Sequence, residues 1–373
     1  MDGYLLQLIL FWLLGFFLLY RIPRPGGRIE TPLRPERISV IIPARNEEAN
    51  LPILLKSLLG EAGLIGEILV SDDGSEDGTA AIARSLGARV VDSSGKPEGW
   101  YGKAWACWKA AGEAREDLLL FLDADTRVEP GGLGRLLAER AATGKVISVQ
   151  PFHRVCRPYE YLSAFFNTAA MAGVGAFAFP GRRSGYTGGF GPCILCGREE
   201  YFRAGGHRGV RDCIVEDLAL AEVFYNTGTD VGLYGGKGTV SYRMYPEGFK
   251  AMTEGWTRSM SLGAGLIRPG FLVMVFLWIT GATGGAALFF IRWASADGFP
   301  WITGLLYLAY TGQLYWIFRR VGSFGFPTAL FYPLPLLFFH IVFFRSLFHT
   351  RVLGRVTWKG RVLHTRRGRR ADP

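Results

Sequence analysis

Two apolar patterns divide the chain. Uncharged blocks about as long as a bilayer is thick lie near its ends, and short apolar runs alternate with helical periodicity through its middle. Tyr4–Tyr20 holds 17 residues without a charge, close to the lower limit of about 17–25 for a spanning helix. Three more such blocks follow near the C-terminus: Phe271–Ile291, Phe299–Phe318 and Phe326–Phe344. Trp and Tyr residues stand at their ends, as interfacial anchors do. The last block contains Pro327, Pro333 and Pro335. Proline removes backbone donors, so this block is expected to be re-entrant or interfacial, not a further crossing. Tyr161–Pro180 is also uncharged, but it is rich in Ala and Gly and contains Asn167 and Thr168. It reads as an interfacial helix or hairpin.

Between residues 36 and 150 the pattern changes to that of a soluble domain. Strands are expected at Ile38–Ile42, Glu67–Ser71, Ala88–Val91, Leu118–Leu122 and Val146–Val149, and helices at Glu47–Leu59, Asp77–Leu86, Lys103–Ala114 and Pro130–Ala142. Strand–helix alternation of this kind implies an α/β fold, a mostly parallel sheet with helices on both faces. Ligands bind such sheets beyond the carboxyl ends of the strands.

Composition then narrows the class. An apolar share of 49% excludes a disordered chain, and five cysteines in 373 residues exclude a disulfide scaffold. The net charge of +10 points to nucleic acid only if it is spread over a surface. It is not: residues 345–373 hold nine Arg or Lys against Asp372, which accounts for +8. The basic character is that of a tail, suited to an anionic leaflet. Arg21, Arg24 and Arg28 follow the first apolar block, which places the next domain in the cytoplasm. The chain is expected to be a multi-pass protein of the cytoplasmic membrane: anchor and linker 1–35, soluble domain 36–265, membrane helices 266–345 and basic tail 346–373.

The strand ends carry the chemistry. The first ends in Pro43-Ala-Arg-Asn-Glu47, the second in Ser71-Asp-Asp-Gly-Ser-Glu-Asp-Gly-Thr79, and the fourth in Leu122-Asp-Ala-Asp-Thr126. No phosphate-binding Gly-rich loop is present. Carboxylates at a face that normally receives anions need a bridging divalent cation, and oxygen ligands at i and i+2 suit Mg²⁺ or Mn²⁺. Taken one at a time these residues have blander readings: Asp72-Asp73-Gly a turn, Asp77 a helix cap. Cys193-x-x-Cys196 reads as packing thiols, and His153 and His207 as structural residues.

The chain resembles the family 2 glycosyltransferases of the GT-A fold over roughly residues 36–260. The residues behind this are Ile42-Pro-Ala-Arg-Asn-Glu-Glu48, Asp72-Asp-Gly-Ser-Glu-Asp-Gly-Thr79, Asp123-Ala-Asp125 and Val215-Glu-Asp-Leu218. The resemblance implies that Pro43, Ala44, Glu47, Asp72 and Asp73 hold the nucleoside of a sugar nucleotide, a UDP-sugar by analogy. It implies that Asp125 with Asp123 holds the metal on the diphosphate, and that Asp217, following Glu216, is the catalytic base. Glu216, Lys103 and Arg258 join the donor site. Lys103 opens a helix after a Gly-containing loop, and Arg258 lies in Thr253-Glu-Gly-Trp-Thr-Arg258. There Trp256 and Arg258 are reversed from the Gln-x-x-Arg-Trp of processive relatives.

The narrower resemblance is to membrane enzymes of the diaponeurosporenoate glycosyltransferase type, then to hopanoid-associated ones. It rests on Gly99-Trp-Tyr-Gly-Lys-Ala-Trp105, Gln150-Pro-Phe-His153, Gly191-Pro-Cys193, Gly205-Gly-His207 and Val356-Thr-Trp-Lys-Gly-Arg361. The partners this implies are a nucleotide sugar, a membrane lipid acceptor such as a carotenoid acid, and the membrane, with no nucleic acid. Transfer to polyprenyl phosphate, polysaccharide synthesis and a non-enzymatic membrane scaffold stay open as alternatives.

Overall fold

The computed structural model describes residues 2–26, 37–180, 188–213, 216–263, 267–295, 301–349, 355–358 and 361–364. Arg28, Val215, Phe299, Lys359 and Asp372, and the side chain of Asp217, lie outside the described part. The elements run α1 (Asp2–Leu18), β1 (Ile38–Ala44), α2 (Leu51–Leu59), β2 (Ile65–Asp72), α3 (Thr79–Ser85), β3 (Arg89–Asp92), α4 (Gly102–Glu113), β4 (Leu118–Leu122), β5 (Thr126–Val128), α5 (Gly132–Thr143), β6 (Val146–Gln150), β7 (Phe152–His153) and α6 (Ala164–Val174). They continue with β8 (Cys193–Gly197), α7 (Arg198–Ala204), α8 (Glu216–Asn226), β9 (Val231–Gly235), β10 (Val240–Tyr242), α9 (Phe249–Gly263), α10 (Pro269–Ala294), α11 (Trp301–Val321), α12 (Phe326–Leu330), α13 (Pro333–Phe348), β11 (Arg355–Trp358) and β12 (Arg361–His364).

These elements form two compact units. One comprises Arg21–Arg154 and Arg182–Arg243; the other comprises Met1–Tyr20, Val155–Gly181 and Met244–Pro373. Residues 155–181 and 244–263, which the sequence reading gathers into the soluble domain, thus pack with the terminal helices.

The first unit is built on a seven-stranded sheet of order β3-β2-β1-β4-β8-β6-β9. It is mostly parallel, as expected, with β8 antiparallel to both β4 and β6. The apolar alternation explains how both faces are covered. Ile38, Val40 and Ile42 of β1 and Leu118, Leu120 and Leu122 of β4 join one buried cluster with Leu51, Leu54 and Leu58 of α2 and Leu133 and Leu136 of α5. On the other face Phe121 packs on Tyr201 of α7, with ring centroids 5.2 Å apart. Period-2 alternation sends successive side chains to opposite faces, and both are dry. A small sheet, β5-β10-β7, completes the unit.

Helices α2, α3 and α5 start two or more residues later than expected, and for α2 and α5 the reason is local. The segment before α2 is a turn because Asn46 sits at φ 53 and the Glu47 N–H donates to Thr79 Oγ1 at 2.8 Å. Helix α5 begins after Gly131, not at Pro130, because Gly131 adopts a left-handed conformation at φ 68.

The second unit is a helical bundle. Pro269–Ala294 is the one helix among the described residues that is long and apolar enough to cross a membrane; Gly3–Leu18 and Pro333–Phe348 are apolar but shorter. Buried polar groups inside the bundle are matched. The Trp278 indole donates to Gln313 Oε1 at 2.9 Å, the Gln313 amide donates to the Trp12 carbonyl at 2.6 Å, and Tyr310 donates to the Leu8 carbonyl at 2.9 Å. Outward faces carry Leu6, Leu10 and Leu13 of α1, Phe276 and Phe290 of α10, Leu305 and Leu308 of α11, and Leu334, Leu337 and Ile341 of α13, all exposed.

The Pro-containing block doubles back along α11. Phe324 packs on Phe318, Phe326 on Tyr315, and Tyr332 on Tyr307. Tyr307 also donates to the Leu330 carbonyl. Then α13 returns: Phe339 meets Phe165, and Phe165 meets Phe318. At about 1.5 Å per helical residue the excursion from Phe318 to Tyr307 is roughly 16 Å, half of a bilayer core of about 30 Å. The break falls just before Pro333, which occupies the first turn of α13 where no backbone donor is needed.

The Trp278–Gln313–Trp12 chain makes a prediction. Gln313→Leu leaves the buried Trp278 N–H without a partner and is expected to destabilise the bundle by about 1–2 kcal/mol, measured as Tm in detergent. Adding Trp278→Phe should recover part of that loss; a double variant as unstable as the sum of the singles would overturn the pairing.

Candidate active site

The carboxyl ends of β1, β2 and β4 meet because these strands are adjacent and parallel. Pro43 and Ala44 close β1 in register with Ser71 and Asp72 of β2, and the Asp73 N–H donates to the Ala44 carbonyl at 3.0 Å. Side chains lace the two following loops. The Asn46 N–H donates to Ser75 Oγ at 3.0 Å, the Glu76 N–H to Asn46 Oδ1 at 2.9 Å, and the Gly78 N–H to Glu48 Oε2 at 2.9 Å. Two acids here serve the backbone. Asp72 accepts the Ser75 N–H at 3.1 Å, as a turn residue does, and Asp77 accepts the Thr79 N–H at 3.0 Å from the position just before Gly78, the residue that caps α3.

Asp73 points elsewhere. Its carboxylate is buried and lies 3.7 Å from Arg45 Nη1, which also donates to the Asp73 carbonyl at 2.8 Å. It lies against Gly102 at the start of α4: a Cβ there would be 2.2 Å from Asp73 Oδ2. Only glycine permits that approach. A carboxylate at a helix N-terminus is favoured by the unsatisfied N–H groups there.

Lys103 follows immediately. Its ammonium sits 3.0 Å from Asp123 Oδ1 and 3.3 Å from Asp123 Oδ2, and 3.1 Å from Glu216 Oε1 at the start of α8. The solvated-lysine reading is therefore excluded: Lys103 bridges two carboxylates. Asp123 is fixed by a tight turn in which the Thr126 N–H and hydroxyl both donate to its carbonyl, at 3.0 and 2.7 Å. Asp125, two residues on, keeps partial access to solvent. Its pKa is pushed up from 3.8 to about 7 by burial, then by the charges of Asp123 and Glu47, with Lys103 opposing. Glu47, Lys103, Asp123 and Asp125 are thus one electrostatic group, with Glu216 joined through Lys103.

The remaining candidates fall outside this group. Asp217 is the second residue of α8. Arg258 lies on α9, in the helical unit. Cys193 and Cys196 are buried with their thiol pKa values raised by desolvation, consistent with packing thiols. His207 is buried, its pKa lowered to about 3 by desolvation with a further contribution from Lys103, and its Nδ1 is 2.8 Å from the Tyr201 hydroxyl. That is a structural pair. Arg45 and Gly102 are the site residues that the sequence reading passes over. Arg45 had a signal, as the cation inside the first acidic motif; the need for Gly102 appears only where α4 meets β2.

Could these residues hold a divalent cation? Among the described residues no group of three or more His, Cys, Asp or Glu forms a protein-only metal cluster. Two carboxylates completed by substrate phosphates are enough for Mg²⁺-type binding. Asp123 and Asp125 offer oxygen ligands at i and i+2 directly after β4, and oxygen donors are what such a cation takes, so the residues fit.

A family model described as "Glycosyl transferase family 2" matches residues 39–174. The 4,4'-diaponeurosporenoate glycosyltransferase of Staphylococcus aureus strain MRSA252 is 35% identical over 332 residues, 87% of each chain. The chain belongs to glycosyltransferase family 2. It is an enzyme that transfers sugar from a nucleotide-sugar donor. Among solved structures, the mannosyltransferase PcManGT of Pyrobaculum calidifontis, in complex with GDP-Man and Mn²⁺, has 19% identity and a TM-score of 0.50, covering 91% of this chain and 94% of its own. At that identity it supports the GT-A-like fold alone.

The charge on Asp125 has a testable cost. Below pH 3.8 the carboxyl is protonated whether folded or unfolded. Between 3.8 and about 7 the folded state holds the extra proton, so stability falls as pH rises, and above about 7 the cost is complete. In EDTA, the Tm gain of Asp125→Asn over the parent should grow from pH 5 to pH 8. A Tm difference independent of pH would contradict this electrostatic picture.

Proposed function

We propose that this glycosyltransferase moves a sugar from a nucleoside diphosphate, UDP by family resemblance, to a lipid acceptor in the membrane, a carotenoid acid or related isoprenoid. The observation that carries the donor half is the convergence of Lys103, Asp123, Asp125 and Glu216 at the carboxyl end of the sheet. The acceptor half rests on the 35% identity to a diaponeurosporenoate enzyme and on the exposed apolar faces of the helical unit.

In this reading Pro43, Ala44, Glu47 and Asp73 hold the nucleoside, and Asp123 and Asp125 would hold Mg²⁺ or Mn²⁺. The cation supplies Lewis acidity to the departing diphosphate. Lys103 adds a positive charge there, and Arg258 is a further diphosphate contact. Asp217 accepts the acceptor's proton. A carboxylic acid acceptor, with an unperturbed pKa of about 4, is already ionised near neutral pH; Asp217 then orients it. Attack opposite the leaving group inverts the anomeric centre.

With an acceptor that must lose a proton, Asp217→Asn is expected to lower turnover about 10²–10⁴-fold while nucleotide binding persists, and Asp125→Ala to abolish activity stimulated by the divalent ion. Incubating purified enzyme with radiolabelled sugar nucleotides and extracted host lipids, followed by mass spectrometry of the product, tests the assignment. Label that appears only in free sugar, never in lipid, would count against a lipid acceptor, and full activity of Asp217→Asn would remove it as base.

In the membrane, α1, α10 and α11 cross, and α12–α13 enters and leaves on one side, so the +8 tail stays cytoplasmic with the catalytic unit. Attraction of about 1 kcal/mol per basic residue to an anionic leaflet favours that side. Single cysteines replacing Ser323 and His349 should be labelled from the same face of oriented vesicles, and one replacing Ser295 from the opposite face. Labelling of 323 and 349 from opposite faces would make the block a full crossing.

A further inference from the structure

We propose that Lys103 is the resting counter-ion of the metal site, holding the cation's place until a metal-bound diphosphate displaces it. This rests on the reading above that Asp123 and Asp125 hold a divalent cation. Both carboxylate oxygens of Asp123 are within 3.3 Å of the Lys103 ammonium, so the carboxylate a metal would use already faces a positive charge. Glu216 takes the same ammonium at 3.1 Å and is buried, which tethers Lys103 when Asp123 lets go.

Two carboxylates, Asp123 and Glu216, hold this ammonium, and Asp125 feels its charge. A metal arriving alone must evict the ammonium and offers it nothing in return. A metal arriving with a diphosphate brings phosphate oxygens to which the ammonium can swing on its flexible four-carbon stem. Metal and nucleotide therefore assist each other's binding, and Lys103 is the residue through which they do so. The coupling is reciprocal, as linkage requires. Glu216 acts as a positioning residue, keeping the ammonium beside the site in both states.

The test measures Mn²⁺ binding by the loss of the free-ion electron paramagnetic resonance signal, with no turnover involved. The comparison is between the parent, Lys103→Met and Lys103→Arg, each without nucleotide and with UDP or GDP, whichever the parent binds. Lys103→Met is expected to bind Mn²⁺ alone about 10-fold more tightly than the parent, and the nucleotide to improve its Mn²⁺ affinity about 10-fold less, within the usual range of site–site coupling. Lys103→Arg, which keeps the charge, should stay near the parent in Mn²⁺ affinity. If Lys103→Met binds Mn²⁺ alone no better than the parent, the counter-ion role is overturned while the metal site stands. If the parent binds no Mn²⁺ with either nucleotide, the metal reading itself fails and this inference falls with it.

Discussion

Negative charge gathered at the carboxyl end of the sheet is the constraint that the catalytic unit is organised around. Parallel pairing of β1, β2 and β4 brings Glu47, Asp73 and the Asp123–Asp125 pair to one edge. Removing carboxylates from water is costly unless each is paired or protonated. Each of the three responses seen here depends on another element. Asp73 is met by Arg45 and by the start of α4, which Gly102 lets come close. Asp123 is met by Lys103, one residue further along α4, and the first residue of α8 shares that ammonium. Asp125 responds by holding its proton to about pH 7.

The helical unit solves the opposite problem. Its outer faces are apolar, and interior polar groups find partners on neighbouring helices, as Gln313 does for Trp278 and Trp12, or within their own helix, as Thr311 does with the Tyr307 carbonyl. Inside a packed bundle, unsatisfied polar groups have no water to turn to. The hairpin α12–α13 obeys the same rule. Its break, where helical hydrogen bonds stop, carries the Leu330 carbonyl, which accepts from Tyr307 inside the bundle. The Tyr332 hydroxyl in turn donates to the Ala282 carbonyl at 3.3 Å.

Much of this was legible from the chain. The strands read from apolar runs coincide with β1, β2, β3, β4 and β6 to within a few residues; for β1, β4 and β6 the reason is that a strand buried on both faces is a continuous apolar run. Strand β8 was missed: Cys193–Gly197 is short, and its Cys-x-x-Cys spacing drew attention to its thiols. Helices α2, α3 and α5 start later than periodicity alone indicates: left-handed Asn46 and Gly131 interrupt the chain before α2 and α5, and before α3 the Gly78 N–H is taken by Glu48 of the facing loop. Asp123, Asp125, Glu216 and Lys103 were each nameable from motif and spacing, whereas Gly102 was not, since its role exists only against Asp73.

By itself, then, the chain's order of residues determined which strands form, that acidic residues follow them, and that long apolar blocks flank the domain; these are consequences of local periodicity and composition. Tertiary structure decided what a local pattern cannot encode. It set which acids are spent on turns, as Asp72 and Asp77 are, and which face the site. It made Lys103 a bridge between carboxylates from two distant segments, and it assigned residues 155–181 to the helical unit. The last Pro-containing block became a hairpin for the same reason: its turning point is held by contacts to α10 and α11, and contact energy between segments far apart in the chain has no representation in the period of either one.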